Sequence, residues 1–178
     1  MQGLNGQLDL ALSDITRAIH LDPTDDIDVF NRGKIYAMKH DVNHALQDYS
    51  SAIKIRPDNY VVWNGRCWLR ASMGKELHVA LSDCNEAIRL RPGDANILNS
   101  RGFVYFRMKQ YQEAIRDYDS AIAIDSKQGS SFYVRGLAKQ ALGDIGGARA
   151  DIAKGKSLEP AIDKRFSIYG VVPAGTKK

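Results

Sequence analysis

His40 and His44 stand four residues apart, the spacing at which two imidazoles share one face of a helix. Such a pair can hold zinc when a third protein ligand is near and a water completes the tetrahedron. In His40-Asp41-Val42-Asn43-His44 the acid is misplaced for the metalloprotease pattern, and no third ligand is evident. Both residues also fall at a turn between two helical patterns, where solvated side chains are the expectation. His20 and His78 have no partners in the sequence. Gly143, Gly146 and Gly147 hint at a phosphate loop, but no strand precedes them and no Gly-Lys-Ser/Thr follows. No serine, histidine and acid share a face in a way that suggests a nucleophile. The expectation is a non-enzymatic chain with no metal and no cofactor.

Composition narrows the class. Of 178 residues, 44% are hydrophobic and 26% charged, ordinary for a folded protein. Twenty-five basic residues against 21 acidic leave +4, too mild for a nucleic-acid binder without a basic stripe. No run of 18 apolar residues exists to span a membrane, and Met1-Gln2-Gly3-Leu4 does not start like a signal peptide. Two cysteines are too few for a disulfide framework, and free thiols favour the cytoplasm.

The elements that position these residues repeat. Ala11, Ala45, Ala80, Ala114 and Ala148 each open an Ala-x-x-Asp run, at spacings of 34, 35, 34 and 34 residues. Ala18-Ile19, Ala52-Ile53, Ala87-Ile88 and Ala121-Ile122 follow in register and degenerate to Gly155-Lys156. Arg32-Gly33, Arg66-Cys67, Arg101-Gly102 and Arg135-Gly136 form a third track, and Pro23, Pro57, Pro92 and Pro160 close units. A period of this length marks a solenoid. Within each unit, apolar residues recur at three-to-four spacing in two runs, so each unit is two helices joined by a turn. Gly74 and Gly143 mark two of the turns, and the extra residue of the 35-residue spacing is expected in the turn from Gly74 to Val79. Asp22-Pro23-Thr24-Asp25 and Arg56-Pro57-Asp58-Asn59 supply N-cap candidates for the following helices.

Gly33 and Ala45 are twelve residues apart, as are Gly102 and Ala114, and Gly136 and Ala148. Across a short turn this spacing sets small residues opposite one another, so the helices of a hairpin approach closely. Asp48, Asp83, Asp117 and Asp151 follow their unit's arginine by sixteen or seventeen residues, which predicts an ion pair inside each hairpin. Cys67 takes the small-residue slot of its first helix and Cys84 an aromatic slot of its second. Buried thiols filling apolar slots are the expectation, with a redox switch or disulfide as the alternative.

Asn31-Arg32-Gly33, Tyr36, Ala45-Leu46, Tyr49, Ala52-Ile53 and Pro57 resemble the 34-residue motif of the tetratricopeptide repeat family. Arg101-Gly102, Tyr105, Tyr111, Ala114-Ile115, Tyr118 and Ala121-Ile122 resemble it equally. The resemblance implies an all-α, right-handed solenoid of antiparallel hairpins with a concave groove lined by the first helices. It divides the chain into a repeat array over 1–160 and a capping helix with a flexible basic tail over 161–178. Inside the array lie a leading half-repeat (1–23) and repeats of approximately 26–57, 60–92, 95–126 and 129–160. It also implies a protein partner, a peptide or helix, held in that groove.

Helix geometry and the resemblance together place Phe30, Lys34, Met38, Asn64, Trp68, Asn99, Phe103, Phe106, Arg107, Tyr133 and Leu137 on the exposed face of the first helices. Aromatic and arginine side chains supply most hot-spot energy at interfaces, and asparagines bond a ligand backbone without selecting its side chains. The family's carboxylate clamp for chaperone tails is not matched, since Phe30, Val61, Gly65, Ser130 and Val134 stand where it needs basic residues. The alternative is a structural spacer or oligomerisation arm of a longer protein, with those aromatics buried between repeats.

Both ends carry further expectations. Residues 1–30 hold six acids and one base, and residues 149–178 hold seven bases and three acids, a polarity suited to head-to-tail self-association. The first copy has only its second helix, about Leu8 to His20 with Gly6 at the turn, and leaves an apolar stripe uncapped. The expectation is a fragment of a longer protein, a mis-called start or a self-association surface. At the other end, Ala161 to Tyr169 begins like another first helix, with Phe166 in the apolar slot and Gly170 in the small slot.

Overall fold

The computed structural model describes residues 2–173, with side chains from residue 6 onward. Ten helices, with no strand among the described residues, follow one another along the chain. They are α1 (Gln2–Leu21), α2 (Asp26–Met38), α3 (Val42–Ile55), α4 (Tyr60–Met73), α5 (Leu77–Leu90), α6 (Ala95–Arg107), α7 (Tyr111–Ile124), α8 (Gly129–Ala141), α9 (Ile145–Leu158) and α10 (Ile162–Ser167). The pairs α2–α3, α4–α5, α6–α7 and α8–α9 pack as hairpins, and each second helix also packs on the next first helix. This is a tetratricopeptide-like solenoid. Gly6 lies inside α1 rather than at a turn, because the helix already runs from Gln2.

The hairpin turns share one stop signal. His40, Gly74, Lys109 and Gly143 all adopt left-handed backbone, with φ of 61°, 66°, 61° and 87°. Around each, the next amide reaches five residues back and the left-handed residue's own amide three back, as in Asp41 N–H to Tyr36 O and His40 N–H to Ala37 O. That is the Schellman closure, which satisfies carbonyls the ending helix leaves open. From the left-handed residue to the next helix is two residues in three hairpins and three after Gly74, where Glu76 is also left-handed (φ 49°). The extra residue therefore sits in this turn. Asp25, Asn59 and Asp94 cap α2, α4 and α6 by accepting amide hydrogen bonds from the first turn.

Small residues recur because the space is taken. Ala45, Ala52, Ala80, Ala87, Ala114 and Ala121 are all fully buried. In two hairpins the expected partner of the small first-helix slot needs correction, however. A methyl group at Gly33 would lie 2.7 Å from the ring of Tyr49, and one at Gly102 would lie 3.1 Å from that of Tyr118. In these two hairpins the glycine admits a second-helix aromatic sixteen residues on, whereas in the last a methyl at Gly136 would meet the expected Ala148, at its carbonyl, at 3.0 Å. In the last hairpin a methyl at Gly155 would meet the Gly129 carbonyl at 3.0 Å, so the degenerate slot records a close helix–helix contact.

The second hairpin fills the same pair of slots with a covalent bond. Cys67 and Cys84 form a disulfide, with Cα atoms 5.4 Å apart and both residues fully buried. The expectation of free thiols is corrected: small slot and aromatic slot face each other, so two cysteines there fall within bonding distance. The free thiols on which a cytoplasmic location was expected are absent from this structure.

Each repeated arginine clamps its hairpin. Arg32, Arg66, Arg101 and Arg135 donate two hydrogen bonds to Asp48, Asp83, Asp117 and Asp151 at 2.6–3.0 Å. Planar guanidinium and carboxylate match in this geometry, which gives strong charge-assisted bonds. Three of the arginines also reach the preceding second helix, through Ser50, Asn85 and Asp119. The ion pairs therefore join repeats as well as hairpins. Buried Asp26 adds a further tie, accepting from Asn59 at 2.6 Å and pairing with Arg56 at 3.0 Å.

Candidate partner-binding groove

Helices α2, α4 and α6 and the turn at residues 168–170 enclose a cavity of about 890 Å3. Its apolar floor comes from Phe30 on α2 and from Trp68, Leu69 and Met73 on α4. Phe30 keeps its place because α4 has no side chain opposite it: a methyl at Gly65 would lie 2.7 Å from the Phe30 ring. The ring lies 5.1 Å from that of Tyr49, and Lys34 Nζ sits 5.7 Å from its centroid, close enough for a cation–π contact. Burial, with the Asp48 charge adding to it, pushes the Tyr49 phenol up to about 12, so it stays protonated.

Arg107 closes the far wall. A methyl at Gly74 would overlap its Nη2 at 1.8 Å, so Gly74 serves both the left-handed turn and the guanidinium. Burial pushes the pKa of Arg107 down. Arg107 Nη1 donates to the Tyr169 carbonyl at 2.7 Å. A second cleft of about 620 Å3, lined by His40, Asp41, Arg70 and Glu76 among others, lies beside the hairpin turns.

The expected groove residues divide. Phe30, Lys34, Met38, Trp68 and Arg107 line the cavity, and Met38 is 59% exposed. Phe106 is half-buried, with its ring 6.4 Å from Phe103 and 5.8 Å from Tyr111. Asn64 is half-buried as well, and its Oδ1 is buried without a hydrogen-bond partner. Asn99, Phe103, Tyr133 and Leu137 are buried, which corrects the expectation that they are exposed. Asn99 spends its amide on the next repeat, donating to Ser131 Oγ at 2.7 Å and Ser130 Oγ at 3.2 Å. Phe103 and Tyr133 are covered by the chain's own C-terminal segment: Phe166 packs 5.6 Å from the first ring and 5.5 Å from the second.

That cover was not legible in the repeat pattern. Gly170 was expected in the small slot of a first helix, yet it is the left-handed residue (φ 70°) of another Schellman turn. Val171 N–H reaches Phe166 O at 3.0 Å and Gly170 N–H reaches Ser167 O at 2.9 Å, which ends α10 after six residues. The chain then swings Tyr169 across to α4, with its ring edge-on to Trp68 at 5.8 Å. The segment is thus more than a cap on the last hairpin. Residues 174–178 of the expected tail lie outside the described residues.

Among the described residues no three His, Cys, Asp or Glu side chains gather to hold a metal ion, and no helix is long and apolar enough to cross a membrane. His40 and His44 separate at the turn, where His44 Nδ1 pairs with Asp41 at 2.7 Å.

The sequence model described as tetratricopeptide repeat matches residues 95–128, which span α6 and α7. No curated protein matches the chain. Solved structures do. PilW, a type IV pilus biogenesis factor, superposes with a TM-score of 0.81 at 19% identity, over 96% of this chain and 82% of its own. A thermophilic TPR protein of Thermus thermophilus gives 0.75 at 20% identity, over 95% and 92%. MamA from Desulfovibrio magneticus, residue 41 to the end, gives 0.75 at 18% identity, over 89% of each chain. At such identities the likeness establishes the fold and leaves the partner to the site. One matched tetratricopeptide repeat over residues 95–128, the same hairpin on either side of it and the likeness to these structures together show a tetratricopeptide-like fold over the chain.

Proposed function

We propose that this chain is a non-enzymatic protein–protein interaction module that holds a peptide or helix of another protein in the groove between α2, α4 and α6. The observation that carries the reading is the open cavity of about 890 Å3, with an aromatic and aliphatic floor and the cations Lys34 and Arg107 on its walls. An apolar floor with few polar groups around it suits an apolar side chain whose backbone is oriented by hydrogen bonds. Lys34 and Arg107 favour a segment that brings carbonyls or a carboxylate to the rim.

The test places p-benzoylphenylalanine at Met38, on the cavity wall, and at Gln112, exposed on α7 away from it. Illumination in source-cell lysate is expected to cross-link a partner from position 38 only. Adding Lys34→Glu, an exposed position, is expected to abolish the product without altering the fold. Identical products from both positions, or none from position 38, refute groove binding.

A further inference from the structure

The half of the groove beyond Trp68 is already filled, and by this chain. Ile162, Phe166 and Val171 are buried in the cluster formed by α4 to α8. Phe166 lies against Phe103 and Tyr133, and Tyr169 lies 5.8 Å from Trp68 and 6.3 Å from Phe103. Its main chain contributes the Tyr169 carbonyl to Arg107. Ile168, between the two aromatics, is 75% exposed at the border of the open cavity, so the segment forms a wall between the filled and open halves.

The means of attachment differ from those of the repeats. Every hairpin is locked by a bidentate arginine–aspartate pair, whereas the segment reaches α4 and α6 through ring contacts and one hydrogen bond to Arg107. Its ion pairs, Glu159–Arg165 and Lys156–Asp163, run back to the end of α9 and its own link, not into the groove. A helix of six residues has no stability of its own in water.

We propose that residues 162–171 are a built-in, displaceable occupant of the partner site. The partner segment that replaces them then carries the same chemistry: one aromatic ring on a short helix and a second three residues on, in a chain reversal whose carbonyl reaches Arg107. This rests on the groove reading above. A tethered occupant acts at millimolar effective concentration, so an added segment must outcompete it.

The probe is a labelled synthetic peptide of residues 159–173, titrated by fluorescence anisotropy into the full chain. Phe166→Ser/Tyr169→Ser, which weakens the chain's own segment, is expected to bind the peptide at least ~10-fold more tightly than the parent, as removal of a tethered competitor requires. A peptide carrying the same two replacements is expected to bind neither protein. Equal binding to both proteins, with the variant folded by circular dichroism, overturns the proposal. Hydrogen–deuterium exchange on the unaltered chain decides independently of the variant's folding. Amides of 164–171 are expected to exchange at least ~10-fold faster than those of α6 and α8. Equal rates make the segment a fixed cap and overturn the proposal, while cross-linking at Met38 would still report on the open half.

Discussion

Reduction of the Cys67–Cys84 bond isolates one covalent contribution to the second hairpin. The bond closes a loop of 17 residues between α4 and α5. Restricting a loop of that length in the unfolded chain stabilises the folded one by about 3 kcal/mol at room temperature in the chain-entropy account. At this chain length each kcal/mol moves the melting midpoint by roughly 2–4 °C, so the expected drop is roughly 6–12 °C. The assay is thermal unfolding followed by circular dichroism, on oxidised protein and on protein reduced under denaturing conditions and refolded with reductant. Mass spectrometry confirms the gain of two hydrogens. In a solenoid each repeat leans only on its neighbours, so exchange protection should fall most in α4 and α5 and least in α8 and α9. Both cysteines are in the bond, so oxidised protein should show no titratable thiol even when denatured. A melt unchanged by confirmed reduction, or free thiols in protein purified without reductant, would refute the reasoning.

Three further outcomes follow from the repeated geometry. Asp117→Ala removes the acceptor of two Arg101 bonds in a partly buried pair. Its cost should fall near 2–3 kcal/mol, between the about 0–1 of an exposed pair and the about 3–5 of a buried one, read by urea unfolding. Burial pushes the Asp151 carboxyl up, but hydrogen bonds from Arg135 and Lys139 outweigh it and hold its pKa below the ordinary value. A depressed folded pKa means this contribution is present above the unfolded value of about 4 and is lost as pH falls through the folded one. Stability measured from pH 6 to pH 2 should therefore decline less steeply in Asp151→Asn than in the parent. Lys109 holds left-handed backbone without being glycine (φ 61°), a conformation that costs a side-chain-bearing residue about 1–2 kcal/mol. Lys109→Gly, which gives back part of that in chain entropy, should stabilise by about 0.5–1 kcal/mol, and a loss of stability would argue against the turn.

The 34-residue period, the two helices per unit and the arginine–aspartate clamps were legible in the sequence because they are local and repeated. In three of the hairpins the turn brings residue i beside residue i+16, so Arg32 finds Asp48 and Gly33 admits Tyr49. In the second hairpin the extra turn residue makes the register i to i+17, which sets Cys67 beside Cys84, and only the packed hairpin decided that they bond. Periodicity also assigns a face to each first-helix residue, but it cannot say what covers that face. Asn99 turns to Ser130 and Ser131, side chains particular to the next repeat, and Phe103 and Tyr133 lie beneath Phe166, which comes from outside the period. The sequence by itself determined the solenoid, since each unit's chemistry acts within that unit and on its neighbours. Tertiary structure alone decided which part of the groove is open, because the segment that fills the rest returns from outside the repeats, with Arg107 and Tyr169 joined across 62 residues of chain.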